Sequence, residues 1–93
     1  MVHFSIFADE TPPFIQCPNS IEVKANPEND TTEVKWQVPV AIDNSGFIPV
    51  LTSDPAVVPP ADFPIGVTMV TYRAEDLSQN VAKCKFAVKV IGE

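Results

Sequence analysis

Apolar and polar residues alternate along much of this chain with a period of two. That spacing gives a β-strand one buried face and one solvated face. The clearest run is Ile65 to Val90. In its first half Val70, Tyr72 and Ala74 fall on one face, with Thr71, Arg73 and Glu75 on the other. The polar stretch Asp76-Leu77-Ser78-Gln79-Asn80 interrupts the pattern. It then resumes with Ala82, Cys84, Phe86, Val88 and Val90 inward, and Lys83, Lys85, Ala87 and Lys89 outward. The run predicts two long strands and a short loop, either a hairpin or the two late strands of a sandwich.

Shorter runs precede it. Phe14 to Cys17 reads as a first strand, stopped by Pro18. Ile21, Val23 and Ala25 alternate with Glu22 and Lys24. Glu33 to Pro39 places Val34, Trp36 and Val38 on one face, which predicts Trp36 at the centre of the core. Asp43-Asn44-Ser45-Gly46 is a strong turn, since Asx side chains bond their own backbone and Gly accepts positive φ. Phe47 to Ser53 reads as extended, and its Pro49 predicts an edge strand. Asp54 to Pro64 carries four Pro and reads as an irregular crossover with at most a short strand. About seven strands and no helix predict an all-β, two-layer β-sandwich. Tyr72 occupies a tyrosine-corner position, which predicts its hydroxyl on a nearby backbone group.

Composition narrows the class. Ninety-three residues make one domain with a modest core, and 45% hydrophobic residues are too many for a disordered chain. The net charge of −6 argues against binding nucleic acid or anionic membrane. Lys83, Lys85 and Lys89 share one strand face, read as a solvated face with a heparin-like patch as the alternative. No apolar run reaches the ~20 residues of a membrane span. Cys17 and Cys84, two cysteines far apart in a small β-rich chain, predict one disulfide and an oxidising compartment, with two buried thiols as the alternative. Such a bridge is expected to tie the terminal strands as neighbours along one sheet edge or across its end. Met1 to Ala8 lacks the basic residues and length of a signal peptide, so the expectation is a piece of a longer secreted protein.

Candidate chemistry is sparse. Asn29-Asp30-Thr31 in a polar loop is an N-glycosylation acceptor. Asp43, Asn44, Asp76, Ser78 and Asn80 offer hard oxygen ligands for calcium. Against that, Val81 stands where a calcium loop needs Gly, and Ala87 where it needs Glu. Capping of tight turns accounts for the same residues. The only His is His3, near the chain start, and the carboxylates are scattered, so neither a catalytic set nor a cofactor site is expected.

A set of motifs is similar to a known family. Pro12-Pro13, Ile15, Cys17-Pro18, Val34-Lys35-Trp36, Pro39, Ala41 and Asp43-Asn44-Ser45-Gly46 resemble the first half of a HYR (hyalin repeat) domain. Phe63-Pro64-Ile65-Gly66-Val67-Thr68, Val70-Thr71-Tyr72, Ala74, Asp76, Ser78, Asn80, Ala82, Cys84, Phe86 and Val88 complete the pattern. The resemblance runs from about Asp9 to Val90, placing a HYR-type domain at 9–93 and a tail or linker at 1–8. It implies an immunoglobulin-like sandwich related to fibronectin type III modules, found in tandem in extracellular matrix and cell-surface proteins. It further implies a non-catalytic adhesion or spacer module whose partners are extracellular or matrix proteins and neighbouring domains of the same chain. The alternative is an accessory, polysaccharide-contacting domain of a secreted enzyme, with Phe14, Phe47 and Phe63 as candidate aromatic contacts.

Overall fold

A computed structural model describes residues 11–92. The expected tail at 1–8 lies outside the described residues. All regular elements within them are β-strands: β1 (Phe14–Ile15), β2 (Ile21–Lys24), β3 (Thr31–Val34), β4 (Ala41–Ile42), β5 (Val50–Asp54), β6 (Ala61–Pro64), β7 (Gly66–Glu75) and β8 (Val81–Ile91). One layer is a four-stranded sheet in the order β2-β8-β7-β5. The other is formed by two antiparallel ribbons, β1–β4 and β3–β6.

The β7–β8 hairpin is the backbone of the sheet. Its ladder runs from Glu75↔Val81 to Gly66↔Val90, with Tyr72 opposite Cys84 and Val70 opposite Phe86. The alternation seen in the sequence sends Val70, Tyr72, Phe86, Val88 and Val90 inward. Val34 of β3 and Phe63 of β6 meet them from the other layer. This closes one core, a two-layer immunoglobulin-like β-sandwich. β5 pairs only with β7 and is an edge strand, as Pro49 just before it requires. The Pro-rich connection yields only the short β6, and Gly66, at φ +119°, lets the chain turn out of β6 into β7 in the opposite layer.

The described residues form eight strands where about seven are expected. The extra element is β4, whose two residues are too short to show any alternation. β3 also ends at Val34, two residues before Trp36. The alternation therefore loses phase: Val38 is exposed and Pro39 buried. Trp36 is only partly buried, packed against the margin of the core and not at its centre. Its indole N–H needs an acceptor, and it donates to the Tyr72 hydroxyl at 2.8 Å. The Tyr72 hydroxyl is thus engaged by a side chain distant in sequence and not by a nearby backbone group. Tilted contacts with Phe63 (5.7 Å between centroids) and Phe86 (5.8 Å) hold the indole plane. Tyr72 stacks on Phe86 at 6.3 Å.

Cys17 and Cys84 form a disulfide. It ties the segment that follows β1, the first strand, to β8, the last. β8 is an interior strand, and Cys17 lies just past β1, where the chain passes from the β1–β4 ribbon into the four-stranded sheet. From there the N-terminal segment runs parallel to β8 at a fixed offset of 67 residues. The same offset gives the Ala87 N–H to Ser20 Oγ hydrogen bond and the pairs Ile21↔Val88 and Lys24↔Ile91. A terminal chain strand is not a terminal sheet strand, and parallel pairing places the last strand inside.

Replacing both cysteines by Ala removes a loop closure worth about 4 kcal/mol in the chain-entropy picture. Thermal unfolding is then expected to fall by about 15–30 °C for a domain of this size. Calorimetry of Cys17→Ala/Cys84→Ala showing an unchanged midpoint contradicts that role. For the Trp36–Tyr72 contact, Tyr72→Phe strands a partly buried indole donor and is expected to cost about 1–2 kcal/mol. A Trp36→Phe/Tyr72→Phe double-mutant cycle in denaturant should show non-additivity, and simple additivity argues against a coupled pair.

Candidate functional site

The strand registers sort the loops to two ends of the sandwich. Phe14 pairs with Ile42, which leads into the Asp43 turn, and Val50 pairs with Glu75, which leads into the Asp76 loop. The chain therefore enters β1 at the end that carries both loops. It leaves β8 at the other end, where Lys24 pairs with Ile91, Gly66 with Val90 and Thr31 with Pro64. There Ile65 lies against Gly92. The two ends are called N-proximal and C-proximal below.

At the N-proximal end both turns are built by their own aspartates. Asp43 Oδ2 accepts from the Ser45 N–H and hydroxyl, the Gly46 N–H reaches the Asp43 carbonyl at 3.3 Å, and Gly46 supplies φ +88°. Asp76 is buried. Its Oδ1 accepts from the N–H groups of Ser78 (2.9 Å) and Asn80 (2.8 Å), and its Oδ2 from the Asn80 side-chain amide at 3.1 Å. Gln79 takes φ 70° to close the turn. The proposed calcium ligands are thus brought to one end, but Asp76 points into its own loop and Asn80 donates to it. Asp43 Oδ1 is buried without a hydrogen-bond partner. Among the described residues, no three His, Cys, Asp or Glu side chains group closely enough to hold a metal ion. The arrangement is that of capped turns.

Around these turns the surface is apolar. Phe47, Ile48, Val50 and Leu77 are all more than 60% exposed, Ile48 reaching 88%. Phe14 and Ile42, a cross-strand pair, are exposed beside them. A shallow groove of about 450 Å³ continues this surface past Phe14, Gln16, Pro18, Val38 and Val40. The sequence carried a signal for it: Leu77 is the one apolar residue in a polar turn, and Phe47-Ile48 directly follow Gly46. Of the three aromatics suggested for polysaccharide contact, Phe63 is buried in the core, where β6 seats it against Trp36, and only Phe14 and Phe47 remain exposed.

Most basic residues share one sheet face, which also exposes Val67 and Met69. Lys24, Arg73, Lys83, Lys85 and Lys89, five of the six basic residues, stand on the outer face of the four-stranded sheet. Arg73 bonds Glu75 at 2.9 Å. Lys89 pairs across β2–β8 with Glu22.

Comparison with known proteins agrees with this architecture. The HYR domain profile matches residues 8–90. The chain belongs to the HYR domain family. It is 46% identical over 90 residues to mouse Sushi, von Willebrand factor type A, EGF and pentraxin domain-containing protein 1, covering 97% of this chain and 2% of that protein. It is 42% identical over 86 residues to bovine Sushi repeat-containing protein SRPX2 and 36% identical over 85 residues to the human protein. Each of those two matches covers 91% of this chain and 18% of the relative. In these relatives a HYR-sized segment is a small part of a much longer protein. No solved structure matches the chain.

The capped loop yields a direct test. Asp76→Ala leaves two backbone N–H groups without an acceptor and is expected to destabilise the HYR domain by about 2–3 kcal/mol. Asp76→Asn, whose carbonyl still accepts, should lose less. In both variants and the parent chain, added calcium should leave the melting temperature unchanged. A calcium-dependent rise in the parent that Asp76→Asn abolishes contradicts the turn reading.

Proposed function

We propose that this HYR domain is a non-catalytic interaction and spacer module of an extracellular multidomain protein. In this reading it mediates cell or matrix adhesion through protein–protein contacts made at its N-proximal end. The observation that carries the reading is the division of the surface. The loops at that end present Phe47, Ile48, Val50 and Leu77 to solvent on tightly capped turns, while the outer face of the four-stranded sheet mixes basic side chains with the exposed Val67 and Met69. Contacts between proteins centre on apolar anchors fixed by a rigid scaffold, with polar groups at the rim. Entry and exit of the chain at opposite ends is the geometry of a unit strung between neighbours. The disulfide supports an extracellular setting, since such bridges persist in oxidising compartments.

The test is attachment of cells, and of solubilised matrix proteins, to surfaces coated with the domain. Ile48→Asp/Leu77→Asp should weaken attachment by about tenfold or more, because a charge at an apolar anchor desolvates poorly. Being exposed, both sites should tolerate the change within about 0.5 kcal/mol of stability. Attachment undiminished in a folded double variant removes the assignment of this end. Binding to glycans alone favours the accessory-domain alternative.

A further inference from the structure

We propose that Asn29 carries an N-linked oligosaccharide and that this glycan covers the C-proximal end of the sandwich. The inference is independent of the contact surface assigned above. Asn29-Asp30-Thr31 spans the end of the β2–β3 connection and the first residue of β3. The connection is held by other residues. The Asn26 N–H donates to Thr32 Oγ1 at 3.1 Å, Asn26 Oδ1 accepts from the Glu28 N–H at 3.4 Å, and the Asn29 N–H closes the turn on the Asn26 carbonyl at 3.1 Å. Adjacent hydroxyls therefore do different work. That of Thr32 is part of the fold. The Thr31 hydroxyl and the Asn29 carboxamide form no hydrogen bond with the described residues, and both residues are exposed. The two groups an acceptor tripeptide must offer are the two the fold leaves unused. Thr31 also pairs with Pro64, which has no N–H to give, so the ladder at this corner is incomplete and open.

The donor is a polyisoprenyl-pyrophosphate-linked oligosaccharide, supplied with its transferase by the secretory route that also forms the disulfide. The Asn29 Nδ2 attacks the anomeric carbon of the first sugar. A C–N bond forms as the C–O bond to pyrophosphate breaks. The lipid pyrophosphate leaves with the electron pair, and the amide proton passes to a carboxylate of the transferase. No redox change occurs.

Placement gives the modification a consequence. The glycan rises beside the exit of β8 and over the acidic β3–β6 ribbon, where Glu33 and Asp62 stand directly opposite each other. Like charges in that position repel, and a neutral, hydrated chain over them separates this layer from other proteins. The Asp43 and Asp76 turns, at the far end, stay uncovered.

The chain is expressed behind a secretory leader in animal cells and recovered from the medium. Intact mass under non-reducing conditions verifies the disulfide. A retarded band is expected that peptide N-glycosidase collapses to the unmodified mobility, with Asn29 converted to Asp in the peptide map. Asn29→Gln and Thr31→Ala should both lose the shift, and Thr31→Ser should retain it. Thr31→Ser keeps the test valid if Asn29→Gln is secreted poorly. A secreted, disulfide-bonded parent chain of unmodified mass overturns the proposal, as does a shift that survives Asn29→Gln.

Discussion

The structure depends on the parallel alignment of the N-terminal segment along β8. Parallel pairs are slightly weaker per residue than antiparallel ones, and β2 contributes only four residues to this one. A slip of one residue would turn Ile21 and Val23 outward and Glu22 and Lys24 into the core. The Cys17–Cys84 bridge fixes the offset three residues before the last constraint that precedes β2, the Ser20–Ala87 hydrogen bond. Beyond β2, the Ala25 N–H donates to the Ile91 carbonyl and extends the same alignment. The covalent link thus does more than shorten the unfolded chain. It selects which residues of β2 meet the core, and so which face of that strand is dry.

That constraint also separates what could be read in the sequence from what could not. β7 and β8 were legible because ten and eleven residues of alternation leave little freedom of phase. β1 and β4 have two residues each and carry no period. Trp36 was misplaced for a related reason. Extrapolating the alternation of β3 past Val34 assumes that the strand continues, and it does not. The pairing of Cys17 with Cys84 followed from count and compartment, but its position in the fold followed from strand order, which local pattern does not encode. The Asp43 and Asp76 turns were legible from Asx chemistry alone. Their meeting at one end is a product of the β1–β4 and β5–β7 registers, so the apolar surface around them becomes visible only once Val50 is set against Glu75.

The distribution of charge then decides how such a module meets its surroundings. An exposed sheet edge is a template for further pairing, and this sandwich has two short ones in its main sheet, β2 and β5. Both are blunted on the outer face, β2 by Glu22 and Lys24 and β5 by Asp54, with Pro49 at its start. The broad face between them is basic, with Arg73 and Lys83 directly opposite each other. The opposite layer has the acidic pair Glu33 and Asp62 in the same relation. Each like-charge pair costs some stability. Face-to-face approach of two copies through the same surface therefore sets like charge against like. At the N-proximal end Phe47, Ile48 and Leu77 stand exposed on turns held by buried or capped aspartates. Under the proposed interaction role, the charge on the faces disfavours side-to-side association and the exposed apolar loops favour contact at that end. That anisotropy comes from the outward-facing residues, whose positions the inward core fixes.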